Sequence, residues 1–138
     1  MTRSLTLTLL AAATLSACTQ TPAESARAIQ DAAATQLALD KELAGLVPTG
    51  NRLTCLPPLP SAHVEGYGST LVYSVSSRQK YRTETGGGCE GVGRGDILVT
   101  TSNGGRTCQG DISQTIDRTS RFPTGSCAFG PFVEYRRP

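Results

Sequence analysis

The sequence predicts a mainly β protein: a small disulfide-linked antiparallel sheet or partly open barrel, preceded by one N-terminal α-helix. Three observations carry this. An Ala-rich stretch is bracketed by helix start and stop signals, short alternating apolar runs separated by Gly-rich turns follow Thr49, and four of the five cysteines fall in that second region.

The helix comes first. Thr21-Pro22-Ala23-Glu24 is a start signal, with Thr as N-cap, Pro at the first helical position and Glu placed to complete a capping box. Ala-rich sequence continues to Ala44 without Pro or Gly, and Gly45 followed by Pro48 stops it. Ile29, Ala32, Gln36, Leu39, Leu43 and Leu46 recur at helical spacing, a modest apolar stripe expected to pack on the chain's own domain or to belong to a spacer.

From Arg52 onward the period becomes that of strands. Leu71, Tyr73 and Val75 alternate with Val72, Ser74 and Ser76, Asp96 to Thr101 forms another run, and Phe132-Val133-Glu134-Tyr135 closes the chain. Asn103-Gly104-Gly105 is a turn signal between Ile97-Leu98-Val99 and the stretch leading to Ile112, so those segments are expected to pair antiparallel. In Leu56-Pro57-Pro58-Leu59-Pro60 each proline lacks an amide donor and constrains its predecessor, so the segment is expected to be a covering loop rather than a central strand.

A chain of 138 residues with 38% apolar content and no Trp builds a thin core, so a further staple is expected. Cys55, Cys89, Cys108 and Cys127 supply it as two disulfides. Of the three possible pairings the nested one, Cys55 with Cys127 and Cys89 with Cys108, is favoured, because it ties the first strand to the last around an internal clasp.

The first residues specify place. Arg3 is the only charge before Glu24, and Leu5 to Leu15 is an unbroken run of Leu, Thr and Ala, too short to span a bilayer and shaped like an export signal. Leu15-Ser16-Ala17-Cys18 resembles the bacterial lipobox, in which cleavage falls before a lipid-modified Cys. Cys18 is then the lipid attachment site, and two or more acyl chains, at about 0.8 kcal/mol per buried methylene, anchor stably. The resemblance implies a lipoprotein signal peptide over residues 1–17, a lipid-anchored Cys and spacer helix over 18–48, and a disulfide-bonded β domain over 49–138. Thr19, rather than Asp, follows the Cys; by similarity to the sorting rule of enterobacterial lipoproteins this implies the periplasmic face of the outer membrane.

The formal charge of +2 with scattered basic residues gives no nucleic-acid footprint. With no C-x-x-C pair and His63 the only histidine, neither a metal site nor a cofactor is expected. "GGGCEG", Gly86 to Gly91, formally fits a dinucleotide loop but reads as a turn, since a cysteine interrupts it and no helix start follows. Arg94-Gly95-Asp96 is an accidental adhesion tripeptide. His63 has no sequence-visible catalytic partner, so no catalytic residue is named and no enzyme is expected.

Cys89-Glu90-Gly91, Cys108-Gln109-Gly110-Asp111-Ile112 and Ser126-Cys127-Ala128-Phe129-Gly130-Pro131-Phe132 together resemble a group of small exported proteobacterial lipoproteins with four cysteines and no assigned biochemical role. The likeness runs from about Leu53 to Tyr135 and implies a build, not an activity. The expected role is a non-enzymatic envelope module contacting an envelope protein or peptidoglycan, the alternative an inhibitor of a lysozyme-like or proteolytic hydrolase using Ser61 to Gly68 or Gly86 to Arg94.

Overall fold

The computed structural model describes residues 21–59, 62–102 and 104–138; Cys18 and the export signal lie outside them. Helix α1 spans Pro22–Glu42, and the strands are β1 (Val47–Leu53), β2 (His63–Tyr67), β3 (Thr70–Ser76), β4 (Gln79–Thr85), β5 (Ile97–Thr101), β6 (Ile112–Ile116) and β7 (Pro123–Arg136). A short 3-10 segment, Glu90–Arg94, lies between β4 and β5.

The capping box forms as expected. The Thr21 N–H donates to the Glu24 carboxylate at 2.8 Å, and the Glu24 N–H donates back to the Thr21 hydroxyl at 3.3 Å. Gly45 takes the left-handed φ of +75° that lets the chain leave the helix and enter β1. β1 begins at Val47, two residues before the β domain expected from Thr49 and five before the strand period expected from Arg52, and it pairs only with β7, which leaves Pro48 in an edge strand.

The strands make one antiparallel sheet, ordered β2-β3-β4-β7-β6-β5, curled into a half-barrel. β7 is its spine. Its first part, Pro123 to Ala128, pairs with β6, whereas the part from Phe129 to Arg136 pairs with β4 and also carries β1. β5 and β6 pair antiparallel as predicted, through a connection that holds Gly104 and Gly105 at positive φ.

The core fills the concave face. Leu56, Leu71, Tyr73, Tyr81, Val92, Phe129 and Phe132 form one buried cluster, in which Tyr73, Phe129 and Phe132 meet with ring centroids 5.8 to 6.3 Å apart. Leu56 is buried and Leu59 packs on the cluster, so the Pro-rich segment does cover the core. On the opposite face Val72 is buried beneath Leu39 and Leu43 of α1. β3 is therefore covered on both sides, and the single apolar face expected from Leu71 and Tyr73 has a second behind it.

Only the end of α1 packs. Leu39 and Leu43 are buried, while Ile29 of the expected stripe is 70% exposed. The helix is 21 residues long, about 31 Å at 1.5 Å per residue, and its first three turns carry no buried side chain.

The disulfides are Cys55–Cys108 and Cys89–Cys127, crossed rather than nested. This corrects the expected pairing of Cys55 with Cys127 and Cys89 with Cys108, and the reason is register. After β1 the chain pairs with the segment entering β6: the Gln109 N–H donates to the Thr54 carbonyl at 2.6 Å and the Leu56 N–H to the Thr107 carbonyl at 2.8 Å, which sets Cys55 opposite Cys108. Cys127 sits within β7 opposite Ser113 and is buried, where it meets the fully buried Cys89. With sequence separations of 53 and 38 residues, each bond contributes about 4 kcal/mol in the chain-entropy model.

Cys89 also secures a plug. The stretch from Gly86 to Gly95, the turn expected of "GGGCEG", crosses from β2 to β7 and inserts Val92 into the core. It reaches both strands at glycine pairs. A Cβ on Gly66 would stand 2.6 Å from the Gly93 nitrogen, and one on Gly93 would stand 2.7 Å from the Gly66 carbonyl. At the far side a Cβ on Gly125 would overlap the Gly88 carbonyl, and one on Gly88 the Ser126 carbonyl.

Gly93→Ala and Gly125→Ala are therefore expected to destabilise the domain by about 1–3 kcal/mol each, because the backbone opposite cannot give way. Gly86→Ala, with nothing within 4 Å of its Cβ, should change stability by about 0.5 kcal/mol or less. Urea unfolding of the three variants checks this.

Candidate functional site

The two segments singled out in the sequence, Ser61 to Gly68 and Gly86 to Arg94, meet in space; Ser61 itself lies outside the described residues. β2 and the 3-10 segment abut through Gly66 and Gly93, and α1 passes alongside, with the Thr35 methyl 3.6 Å from where a Gly68 Cβ would stand. Two depressions result, sharing Gly66, Tyr67 and Gly93. One, of about 380 Å³, runs from His63 along β2 to Asp96 and Arg118; the other, of about 490 Å³, runs between Ala34, Thr35 and Ala38 of α1 and Glu90 and Arg94. Adjoining at these three residues, two of them glycines, they make up the groove between α1, β2 and the 3-10 segment.

The groove is lined by charges of both signs. His63 Nε2 lies 3.3 Å from the Glu65 carboxylate, and both side chains are well exposed. Tyr67 donates its hydroxyl to the other Glu65 oxygen at 2.8 Å. Burial, reinforced by the carboxylates of Glu65 and Glu42, pushes the Tyr67 hydroxyl far above its ordinary pKa, so it is a permanent donor. Glu90 accepts from the Gly88 N–H at 3.0 Å, and the backbone bonds of Glu90 itself and Gly88 hold its carboxyl below the usual range. Arg118 donates from Nε to the Gly95 carbonyl at 3.2 Å. Asp96 of the Arg94-Gly95-Asp96 tripeptide accepts from the Thr124 hydroxyl at 2.5 Å, so that carboxylate is engaged with the protein's own β7.

The His63–Glu65 contact is solvent-exposed, and the four cysteines of the domain are all consumed in disulfides. Among the described residues no three His, Cys, Asp or Glu side chains converge in the way a metal ion requires.

The wall formed by α1 is set by one clamp. Lys80 of β4 donates to the Glu42 backbone carbonyl at 2.8 Å and pairs with the Glu42 carboxylate, which also accepts from Ser74 at 3.1 Å. The ammonium satisfies a carbonyl at the helix C-terminus and complements its dipole. Neither clamp nor groove was visible in the sequence, since Glu42, Ser74 and Lys80 meet only through the β3–β4 register, in which Ser74 faces Lys80.

Compared with known proteins, the chain matches no family model, no curated protein and no solved structure.

Burial alone would raise the Glu42 carboxyl, but the bonds from Lys80 and Ser74 outweigh it and hold the group below its ordinary value. A carboxyl lowered on folding contributes stability that is present above its unfolded pKa, roughly 4.3, and is lost as pH falls through the lower folded value. Lys80→Met is expected to cost about 1–2 kcal/mol and to free the end of α1. Amide exchange of Leu39 and Leu43 against pH should show α1 loosening below about pH 4 in the parent and already at neutral pH in the variant.

Proposed function

We propose that this chain is an exported bacterial lipoprotein, anchored through Cys18 to the periplasmic face of the outer membrane, whose disulfide-bonded β domain is a non-enzymatic binding or envelope-maintenance module. The observation that carries the reading is the pairing of a lipobox-like Leu15-Ser16-Ala17-Cys18 with a helix that is exposed over its first turns and docked only at its end. Such a helix serves as a spacer between an anchor and a folded domain. The two disulfides favour an oxidising compartment, and the likeness to small exported four-cysteine lipoproteins favours the same place.

The partner is an envelope protein or peptidoglycan, met in the groove between α1, β2 and the 3-10 segment. Glycines where the depressions adjoin and mixed charges suit an extended segment whose backbone approaches closely. The same groove supports a second reading, inhibition of a lysozyme-like or proteolytic hydrolase, because the two segments expected to contact such an enzyme form one rigid surface.

Cys18→Ser is expected to move the protein from the membrane to the soluble fraction of the envelope, and continued sedimentation with membranes would overturn the anchor. For the inhibitor reading, one enzyme in a panel of lysozymes and proteases should be blocked stoichiometrically by the intact protein. Arg94→Glu should weaken that block at least tenfold; an unaffected panel removes this reading.

A further inference from the structure

We propose that the hollow lined by Arg78, Arg136 and Arg137 at one end of the half-barrel is a binding site for a phosphate-class anion. It lies away from the groove: Arg78 is in the β3–β4 turn, Arg136 pairs with Gln79 at the end of β7, and the Arg137 N–H donates to the Arg78 carbonyl at 3.1 Å. That backbone bond and the sheet register hold the three residues side by side around a hollow of about 440 Å³, whose only other lining residue is Pro138.

The charge in this hollow is not balanced by the protein. Glu134, beside Arg136, is the single carboxylate within 4.0 Å of any of the three guanidinium groups among the described residues. Lys80, the other cation near this end of β4, is already paired with Glu42. The three guanidinium groups outnumber the carboxylates beside them, and a guanidinium fork pairs with phosphate oxygens through parallel N–H bonds.

The site is also organised in advance. Glu134 is buried, accepts from Gln79 Nε2 at 2.9 Å and lies within bonding reach of Thr49 and Asn51. Its carboxylate engages Arg136 only through Nε, at 2.7 Å, so the two terminal nitrogens of that guanidinium keep their donors for a ligand. A planar fork fixed at its inner nitrogen offers paired donors at the spacing of phosphate oxygens, and the exposed Arg78 and Arg137 flank it to meet the remaining oxygens.

The test uses the full chain carrying Cys18→Ser, so that no lipid anchor contributes. Calorimetric titration with inorganic phosphate at pH 7.5 and constant ionic strength is expected to show one site. Arg78→Gln and Arg137→Gln should each weaken it about tenfold and Arg121→Gln, in the β6–β7 turn, should not; Arg136 is left intact because it partners a buried carboxylate. A second arm measures co-sedimentation with phosphatidylcholine vesicles with and without phosphatidic acid. Arginine-dependent binding to phosphate but not to vesicles assigns the site to a free phosphate, and arginine-dependent binding to the phosphatidic acid vesicles assigns it to a phosphorylated headgroup. Heat no greater than that from chloride, together with no binding to vesicles, or equal binding by the arginine variants, would overturn the proposal.

Discussion

The half-barrel depends on one closure, the insertion of the Gly86 to Gly95 plug between β2 and β7. An open curled sheet with a small core leaves its concave face wet, and here that face is sealed by backbone rather than by large side chains. Gly66 against Gly93 and Gly88 against Gly125 bring main chain to within contact distance of main chain. Cys89–Cys127 then ties the plug to β7 from beneath. Small hydroxyls fill the space around the disulfide: Ser113 and Thr115 are fully buried, Thr100 bonds Ser113 at 2.7 Å and Thr124 bonds Thr115 at 2.9 Å. Buried hydroxyls are tolerated because each is paired.

The crossed connectivity of the disulfides follows from this closure. A nested arrangement would tie the end of β1 to β7, which already pair through their backbones, and would leave the plug without a covalent link to the spine. In the crossed arrangement Cys55–Cys108 joins the end of β1 and the Pro-rich cover to the entry of β6, while Cys89–Cys127 fastens the plug to the spine. Because the two loops overlap, neither half of the domain can open without straining the other's closure. This compensates for a core whose largest members are four aromatic rings and a few aliphatic side chains.

The two candidate surfaces use different strands: the groove follows β2 from His63, opposite Ser74, to Tyr67, opposite Thr70, and the hollow lies at the β3–β4 turn. Near Thr70 the groove gathers α1, β2 and the plug; near Ser76 the β3–β4 turn and the end of β7 gather three arginines. The Glu42–Lys80 clamp lies close to that turn, so α1 runs from it toward the groove and continues beyond the sheet.

Local signals were legible because local interactions make them. Thr21, Pro22 and Glu24 announce the helix start since all of its capping bonds lie within one turn, and Leu71, Tyr73 and the Asn103-Gly104-Gly105 turn announce strands through alternation and backbone preference. β4 carries no such mark: Tyr81, Thr83 and Thr85 face the interior while Lys80, Arg82 and Glu84 alternate with them, and buried threonines look polar in a sequence. The sequence by itself determined the helix and its caps, the mainly β domain, the covering role of Leu56 to Leu59 and the presence of two disulfides. Only the tertiary structure decided which cysteines pair, that β3 is covered on both faces, that the plug seals the half-barrel and that three arginines from separate stretches share one hollow. The division has a physical cause. Caps, turns and strand periods are written by neighbours a few residues apart, whereas pairing partners, close backbone approaches and shared surfaces are set by a register between strands far apart in the chain.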